Sequence, residues 1–307
     1  MISEAFLKGS FQELMNMEIY RYECVEFGLS VAEKFHVWAN DRQYLVKITP
    51  ETVNFGIYET LKKMCDEGIR VIAAIKWKYF YNNKSTVFVY DWVPGESLET
   101  ILKKCDRFEK ESYGKKAAVL LKQFHSFNVV QFDWNSNPYS LYRRYDFCIA
   151  WYRATYPYLK EINAYIKDNK KIWKTCSRYS LTHQDLRPEN ILVSNNKLYL
   201  VDFETAGIAD PYSDFVFCIS MQPEYQIDFS LSLIKEYFDN DVPDEFWQWT
   251  LFYGAMAIQK YAIWKYRNKR ERVKKQAVHF YNIYSGLTST IPTFWRENHG
   301  IESGSKR

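Results

Sequence analysis

A chain of 307 residues, 47% hydrophobic and 18% aromatic, is long enough to bury one large core or two smaller ones. Its 41 basic and 37 acidic residues leave a formal charge of +4, too little to hold a polyanion by charge alone, so no nucleic-acid partner is expected. The six cysteines form no C-x-x-C pair, no basic-then-apolar leader is seen, and no run of about 18 apolar residues occurs. A disulfide framework, a zinc ligand set and a membrane span are therefore not expected, and a cytoplasmic setting is.

The first elements in chain order are strands. "IYRYECVEF", residues 19–27, is rich in aromatic and β-branched side chains. "EKFHVWANDRQYLVKI" predicts a hairpin: Phe35 and Val37 alternate before an Asn40-Asp41 turn, and Tyr44, Val46 and Ile48 after it. Over residues 55–67, Ile57, Leu61 and Met64 recur at helical spacing, and Gly68 supplies a stop. "VIAAIKWKYF" and "STVFVYDWV" predict two more strands joined by "YNNKS".

After Pro94-Gly95 the texture changes to helices, over residues 109–127 and 140–167. A β interlude covers residues 191–201 with its turn at Asn195-Asn196, and a final helix is expected over residues 244–284. No internal repeat or low-complexity linker separates these parts. The expected class is α+β, with a strand-rich N-terminal lobe over residues 1–93 and a helical C-terminal lobe over residues 94–307.

"LTHQDLRPEN", residues 181–190, packs an imidazole, a carboxylate, a guanidinium and a carboxamide into one short stretch, and Asp202 follows in "LYLVDFE". One reading is a polar surface turn with an Asn cap. The other is a phosphoryl-transfer site, which needs a proton acceptor, groups that hold phosphates in line, and hard oxygen ligands for Mg²⁺. Asp185 supplies the acceptor. Asn190 supplies an amide oxygen, and Asp202, at the end of an apolar strand, a second metal ligand.

"HQDLRPENIL" followed by "VDFE" resembles the catalytic and metal-binding loops of the protein-kinase-like superfamily. The looser pattern H-x-D-x-x-x-x-N with a later D is that of the aminoglycoside phosphotransferase and choline kinase family. The resemblance implies a two-lobed protein-kinase-like fold, with a small antiparallel-sheet N-lobe and a larger helical C-lobe. It implies ATP (or GTP) with Mg²⁺ as cofactors. Asp185 is then the catalytic base, Arg187 a γ-phosphate contact or a plain loop cation, and Asn190 and Asp202 the metal ligands. Lys47 in "YLVKI" contacts the α- and β-phosphates, paired with Glu59 or, alternatively, Glu51. "FGLSVAEKF" takes the place of the phosphate-covering turn, with only Gly28 and the Ser30 hydroxyl to offer. "FVYDWVPGESL" takes the hinge position, where the Asp91 carbonyl and the Val93 N–H meet the base. "LLKQFHSF" resembles the L-x-x-L-H helix of the phosphotransferases, although His125 alone reads as a packed structural histidine.

Departures from the protein-kinase pattern narrow the expectation. "DFETAGIADPYSDF" leaves no room for an activation segment, no A-P-E occurs, and Glu204 replaces the glycine of D-F-G. "ADPYSDF" resembles the D-P-x-x-D stretch of small-molecule phosphotransferases, while "DLRPEN" is closer in wording to protein kinases. The expected activity is transfer of phosphate to a hydroxyl of a small molecule, an aminoglycoside antibiotic among them. A protein or other metabolite kinase, and a silent kinase-like spore-coat protein, are the alternatives.

On the substrate side stand Glu204, Glu224 and Asp228. The last two begin an acidic run with Glu236, Asp239, Asp241, Asp244 and Glu245 against a single Lys235. That run either attracts a polycationic aminosugar or is a solvated acidic face. The basic stretch "KYAIWKYRNKRERVKK" is either a solvated helix face or a surface for an anionic partner.

Overall fold

The structure is a computed structural model that describes residues 2–25, 32–50, 55–128, 158–264 and 270–300. In chain order the described elements begin with α1 (Glu4–Met15), β1 (Arg21–Cys24), β2 (Glu33–Ala39), β3 (Arg42–Thr49), α2 (Phe55–Asp66), β4 (Lys76–Phe80) and β5 (Ser85–Asp91). Next come β6 (Glu96–Ser97), α3 (Leu98–Leu102), α4 (Arg107–Ser126), α5 (Leu159–Asn169), β7 (Ser180–Thr182), β8 (Ile191–Ser194), β9 (Lys197–Leu200) and β10 (Gly207–Ala209). The last are α6 (Val216–Ser220), α7 (Ile227–Tyr237), α8 (Asp244–Trp264), α9 (Arg270–Ile283) and α10 (Thr293–His299). None of the described helices is long and apolar enough to cross a membrane. The chain divides into two compact units, Met1–Thr100 with Pro188–Glu204, and Ile101–Arg187 with Thr205–Arg307.

The first unit is built on a five-stranded antiparallel sheet in the order β1-β2-β3-β5-β4. Asn40 and Asp41 both take positive φ (46° and 60°), the backbone that a two-residue hairpin requires. Alternation along β2 and β3 sends Phe35, Val37, Tyr44, Val46 and Ile48 to one face, where they pack with Leu7 and Phe11 of α1. Each of these side chains contributes about 1.5–3 kcal/mol by leaving water.

Helix α1 corrects the reading of the first third as strands. Its signals were local: the Ser3 side chain accepts the Phe6 N–H, and left-handed Asn16 closes the other end with its N–H on the Gln12 carbonyl.

The strand expected from Val71 begins only at Lys76; Val71 itself makes an isolated parallel bridge to Leu200. Through it the β8–β9 hairpin joins this unit, with the Ile72 N–H on the Leu200 carbonyl and the Leu200 N–H on the Arg70 carbonyl. Gly95 permits the pairing of β6 with β8, because a Cβ there would lie 2.4 Å from the Val193 carbonyl oxygen.

The second unit is mainly helical. Asp106 and Glu109 form a reciprocal capping box at the start of α4. Helix α4 lies against α7, where a Cβ on Gly114 would meet the Phe229 carbonyl oxygen at 2.5 Å and the Ser232 hydroxyl donates to the Glu111 carbonyl. Helix α8 packs against α5, α6 and α9, and its Phe252, Ala255 and Ile258 are fully buried. The helix expected over residues 140–167 lies outside the described residues up to residue 157 and is helical from Leu159. The final helix expected over residues 244–284 is seen as α8 and α9, on either side of residues 265–269, which lie outside the described residues.

Candidate active site

Within the first unit the β8–β9 hairpin creates the site. Its register, Ile191 opposite Leu200 through Ser194 opposite Lys197, follows from the Asn195-Asn196 turn, where both residues take positive φ. At the open end the Val201 N–H donates to the Asn190 carbonyl at 3.0 Å. Asn190 and Asp202, twelve residues apart in sequence, thus leave the hairpin from adjacent points. Asp202 has φ 69°, a left-handed backbone that a non-glycine residue rarely adopts, at the place where the chain must turn its carboxylate off the strand.

Lys47 reaches that carboxylate from β3. Its Nζ stands 2.5 Å from Asp202 Oδ1 and 2.8 Å from Glu204 Oε1, with the lysine side chain only 5% exposed. Burial alone would lower the Lys47 ammonium, but the Asp202 and Glu204 charges outweigh it and hold it above its ordinary value. A second lysine, Lys34 on β2, lies 3.9 Å from Asp202 Oδ2; burial pulls its ammonium down, and Asp202 only partly opposes that. Tyr58 and Tyr90 flank the group, both phenols raised first by burial.

One sequence assignment changes here. Glu59 is exposed on α2 and is not the partner of Lys47, whose ammonium is taken by Asp202 and Glu204. Glu204, placed on the substrate side by the sequence, meets Lys47 at 2.8 Å. Glu51 and the turn with Gly28 and Ser30 lie outside the described residues. Asp91 ends β5 opposite Tyr44, its side chain paired with Arg42 at 2.8 Å, and Val93 follows two residues on. Beside them Trp92 stacks on His36 at 3.6 Å, and His36 meets Trp38 in a tilted contact at 3.8 Å.

The donor set suits a hard divalent cation. Asn190 and Asp202 offer an amide and a carboxylate oxygen from adjacent points of one hairpin, and Mg²⁺ asks for few protein ligands of that kind. No group of three or more His, Cys, Asp or Glu side chains that could hold a metal occurs among the described residues.

The second unit holds Asp185 and Arg187. Strand β7 pairs with β10, and the Thr182 hydroxyl donates to the Gly207 carbonyl at 2.9 Å. Past β7, Gln184 takes φ 60°, and Asp185 follows. Arg187 Nη2 donates to Asp185 Oδ2 at 2.9 Å and lies over the Phe217 ring, so the guanidinium orients the carboxylate.

Asp214, within the quoted "ADPYSDF", was given no role by the sequence, yet it anchors this turn. Its carboxylate accepts the backbone N–H groups of His183 and Gln184, and it meets His125 Nε2 at 2.9 Å; His125 Nδ1 meets the Tyr237 hydroxyl. The packed reading of His125 is the one these contacts describe. Nearby, Asp210 caps the turn to Tyr212 and takes two bonds from Arg178 and one from the Tyr253 hydroxyl.

The acidic run is partly engaged inside its own unit. Asp228 lies 3.7 Å from Arg107, Asp239 2.6 Å from Lys122, and Glu245 2.9 Å from Arg178, while Glu224 is exposed in a short turn.

Residues 26–246 match the model of the phosphotransferase enzyme family, APH. No curated protein sequence gives a significant match. Among solved structures the chain is similar to a thermostable mutant of aminoglycoside phosphotransferase APH(4)-Ia in its apo form, with TM-score 0.70 and 12% identity over 93% of this chain and 99% of that one. It is similar to the choline kinase LicA from Streptococcus pneumoniae, with TM-score 0.63 and 17% identity over 92% and 98%. It is also similar to APH(2'')-IIa in a streptomycin–ATP ternary complex, with TM-score 0.61 and 16% identity over 94% and 98%. At these identities the likeness to the solved structures is one of fold.

Proposed function

The chain belongs to the phosphotransferase enzyme family, and from that premise we propose that it transfers the γ-phosphoryl group of ATP to a hydroxyl of a small molecule. The observation that carries this reading is the contact of Lys47 with Asp202 at 2.5 Å, made by residues 155 positions apart. Burying a lysine beside a carboxylate on a left-handed backbone is costly for a scaffold and useful for holding phosphate.

In this reading Asp185 accepts the proton of the attacking hydroxyl and orients its oxygen for in-line displacement. Arg187 holds the Asp185 carboxylate in place and is near enough in sequence to turn toward the transferring phosphate. Lys47 exchanges its carboxylate partners for oxygens of the α- and β-phosphates, and the backbone at Asp91 and Val93 meets the nucleobase. Asn190 and Asp202 would hold Mg²⁺, which supplies neutralisation of the phosphate charge. Among the bound relatives, APH(2'')-IIa holds ATP with streptomycin and another relative, APH(9)-Ia, holds ADP with spectinomycin; their use of adenine nucleotides supports ATP here.

The acceptor is the open choice between an aminosugar and another alcohol. Exposed ion pairs such as Asp239–Lys122 contribute only about 0–1 kcal/mol and exchange readily with a polycation. The run Glu224 to Glu245 therefore stays available to ammonium groups, though it is less bare than its composition suggests. The deciding experiment is Mg²⁺-dependent nucleotide turnover measured across aminoglycosides, choline-like amines and neutral sugars, at low and high salt. An aminosugar acceptor predicts turnover that weakens with salt, since exposed charge attraction is screened over about 8–10 Å. Salt-insensitive turnover on a neutral sugar alone would remove the aminosugar reading, and no turnover on any acceptor would remove the small-molecule reading itself.

A further inference from the structure

We propose that Lys34 is a second phosphate-contacting lysine, which with Lys47 grips the polyphosphate of a nucleoside di- or triphosphate; the inference rests on the phosphoryl-transfer reading above. Lys34 stands directly opposite Lys47 in the β2–β3 ladder. Alternation puts both on the face of the sheet away from α1, since their neighbours Phe35, Val46 and Ile48 fill the α1 side.

Like charges directly opposite on neighbouring strands destabilise a sheet. Here both are also withdrawn from water, with side-chain exposures of 16% for Lys34 and 5% for Lys47. Such a pair needs an anion in common. That anion is Asp202, which offers Oδ1 to Lys47 at 2.5 Å and Oδ2 to Lys34 at 3.9 Å, while Glu204 adds a second carboxylate to Lys47. Among the described residues, these two ammonium groups face two carboxylates.

That balance would fail if Asp202 also held a divalent cation. Asp202, if it held such a cation, would share its carboxylate between that charge and two lysines, which is favourable only with a polyanion present. A chain of phosphates has the charge and the length to serve both ammonium groups, whose compact, three-donor heads suit non-bridging phosphate oxygens. Metal and nucleotide should accordingly bind as a unit, and Lys34 should favour ligands by their number of phosphates.

The test is calorimetric titration of the full chain with ATP, ADP and adenosine in Mg²⁺, comparing wild type with Lys34→Met, which keeps the packed stem and removes the charge. Loss of a hydrogen bond between charged groups should weaken ATP about 10- to 100-fold and leave adenosine unchanged. Lys34→Gln is measured beside it, so that a failure of one variant to fold leaves the other to decide. A folded variant that binds ATP as wild type does overturns the proposal. So does an equal loss of ATP and adenosine, which is what a purely structural lysine would give. A wild-type chain that binds no nucleotide overturns the phosphoryl-transfer reading together with this one, whereas the first two outcomes leave that reading standing.

Discussion

The Asp214 carboxylate accepts the backbone N–H of Gln184 at 2.7 Å and that of His183 at 2.8 Å, from some thirty positions downstream. The side chain has no exposure to solvent, and its third contact is His125. Gln184 is the residue whose φ is positive, one step before Asp185. A buried carboxylate thus pins a strained turn one residue before the candidate base.

Asp214→Ala should therefore be costly. It leaves two buried backbone donors and an imidazole without their acceptor, and each orphaned group costs about 1–3 kcal/mol. A loss of at least about 3 kcal/mol is expected in urea unfolding. Asp214→Asn keeps one acceptor oxygen, so it should cost less, and a fold that survives should show a fall in kcat larger than any rise in KM. A stability loss below about 1 kcal/mol for the alanine variant would show that the turn is held by other means.

Asp202 calls for a different substitution. At φ 69° alanine would add backbone strain of about 1–2 kcal/mol, whereas asparagine tolerates the left-handed region. Asp202→Asn removes the charge and leaves Lys47 its Glu204 partner at 2.8 Å. Mg²⁺-dependent turnover should fall to background, and the unfolding midpoint should also drop because Lys34 and Lys47 lose the anion they share, while circular dichroism shows the chain still folded. Near wild-type turnover would take Asp202 out of the metal site.

Local patterns in the sequence placed much of this arrangement. The Asn40-Asp41 and Asn195-Asn196 turns set two hairpin registers, and those registers carry Lys47 to the sheet centre and Asn190 to Asp202. Lys34 was legible by the same rule, since it is as far before the first turn as Lys47 is after it, but neither motif marks it. Glu59 was a legible error: at 100° per residue it lies about 200° round α2 from Ile57 and Leu61, which face inward. What no local pattern carries is long-range partnership. Glu204 finds Lys47, Asp214 finds the Gln184 turn, and Asp228, Asp239 and Glu245 find Arg107, Lys122 and Arg178, all across large sequence separations. Tertiary packing decides those pairs.

His279 on α9 gives a pH dependence with a definite sign. Burial lowers its imidazole below the ordinary 6.5. The unfolded chain takes up a proton near that pH and the folded chain only lower down, so below pH 6.5 the unfolded state binds more protons and stability falls with pH. Above it this group contributes no slope. The effect is small, because the ring is only partly buried. Urea midpoints between pH 7 and 5.5 should drop more steeply for wild type than for His279→Gln, and equal slopes would mean that the ring is not held in its neutral form.

Asp185→Asn separates chemistry from binding. Asparagine has the shape of aspartate and can still receive Arg187, which now donates to Asp185 Oδ2 at 2.9 Å, but it cannot take a proton from an alcohol. General-base contributions run to about 10²–10⁴-fold, so kcat should fall within that range. Nucleotide affinity should hold, because the lysines and the Asn190 and Asp202 oxygens belong to the first unit, and Asp185 to the second. The two carboxylates then give opposite signatures: Asp202→Asn weakens metal–nucleotide binding, and Asp185→Asn leaves it intact while slowing transfer. Single-turnover rates beside calorimetric affinities distinguish these patterns. If Asp185→Asn weakens ATP binding and leaves the transfer rate unchanged, Asp185 serves the nucleotide, and the proton acceptor must be sought elsewhere in the chain.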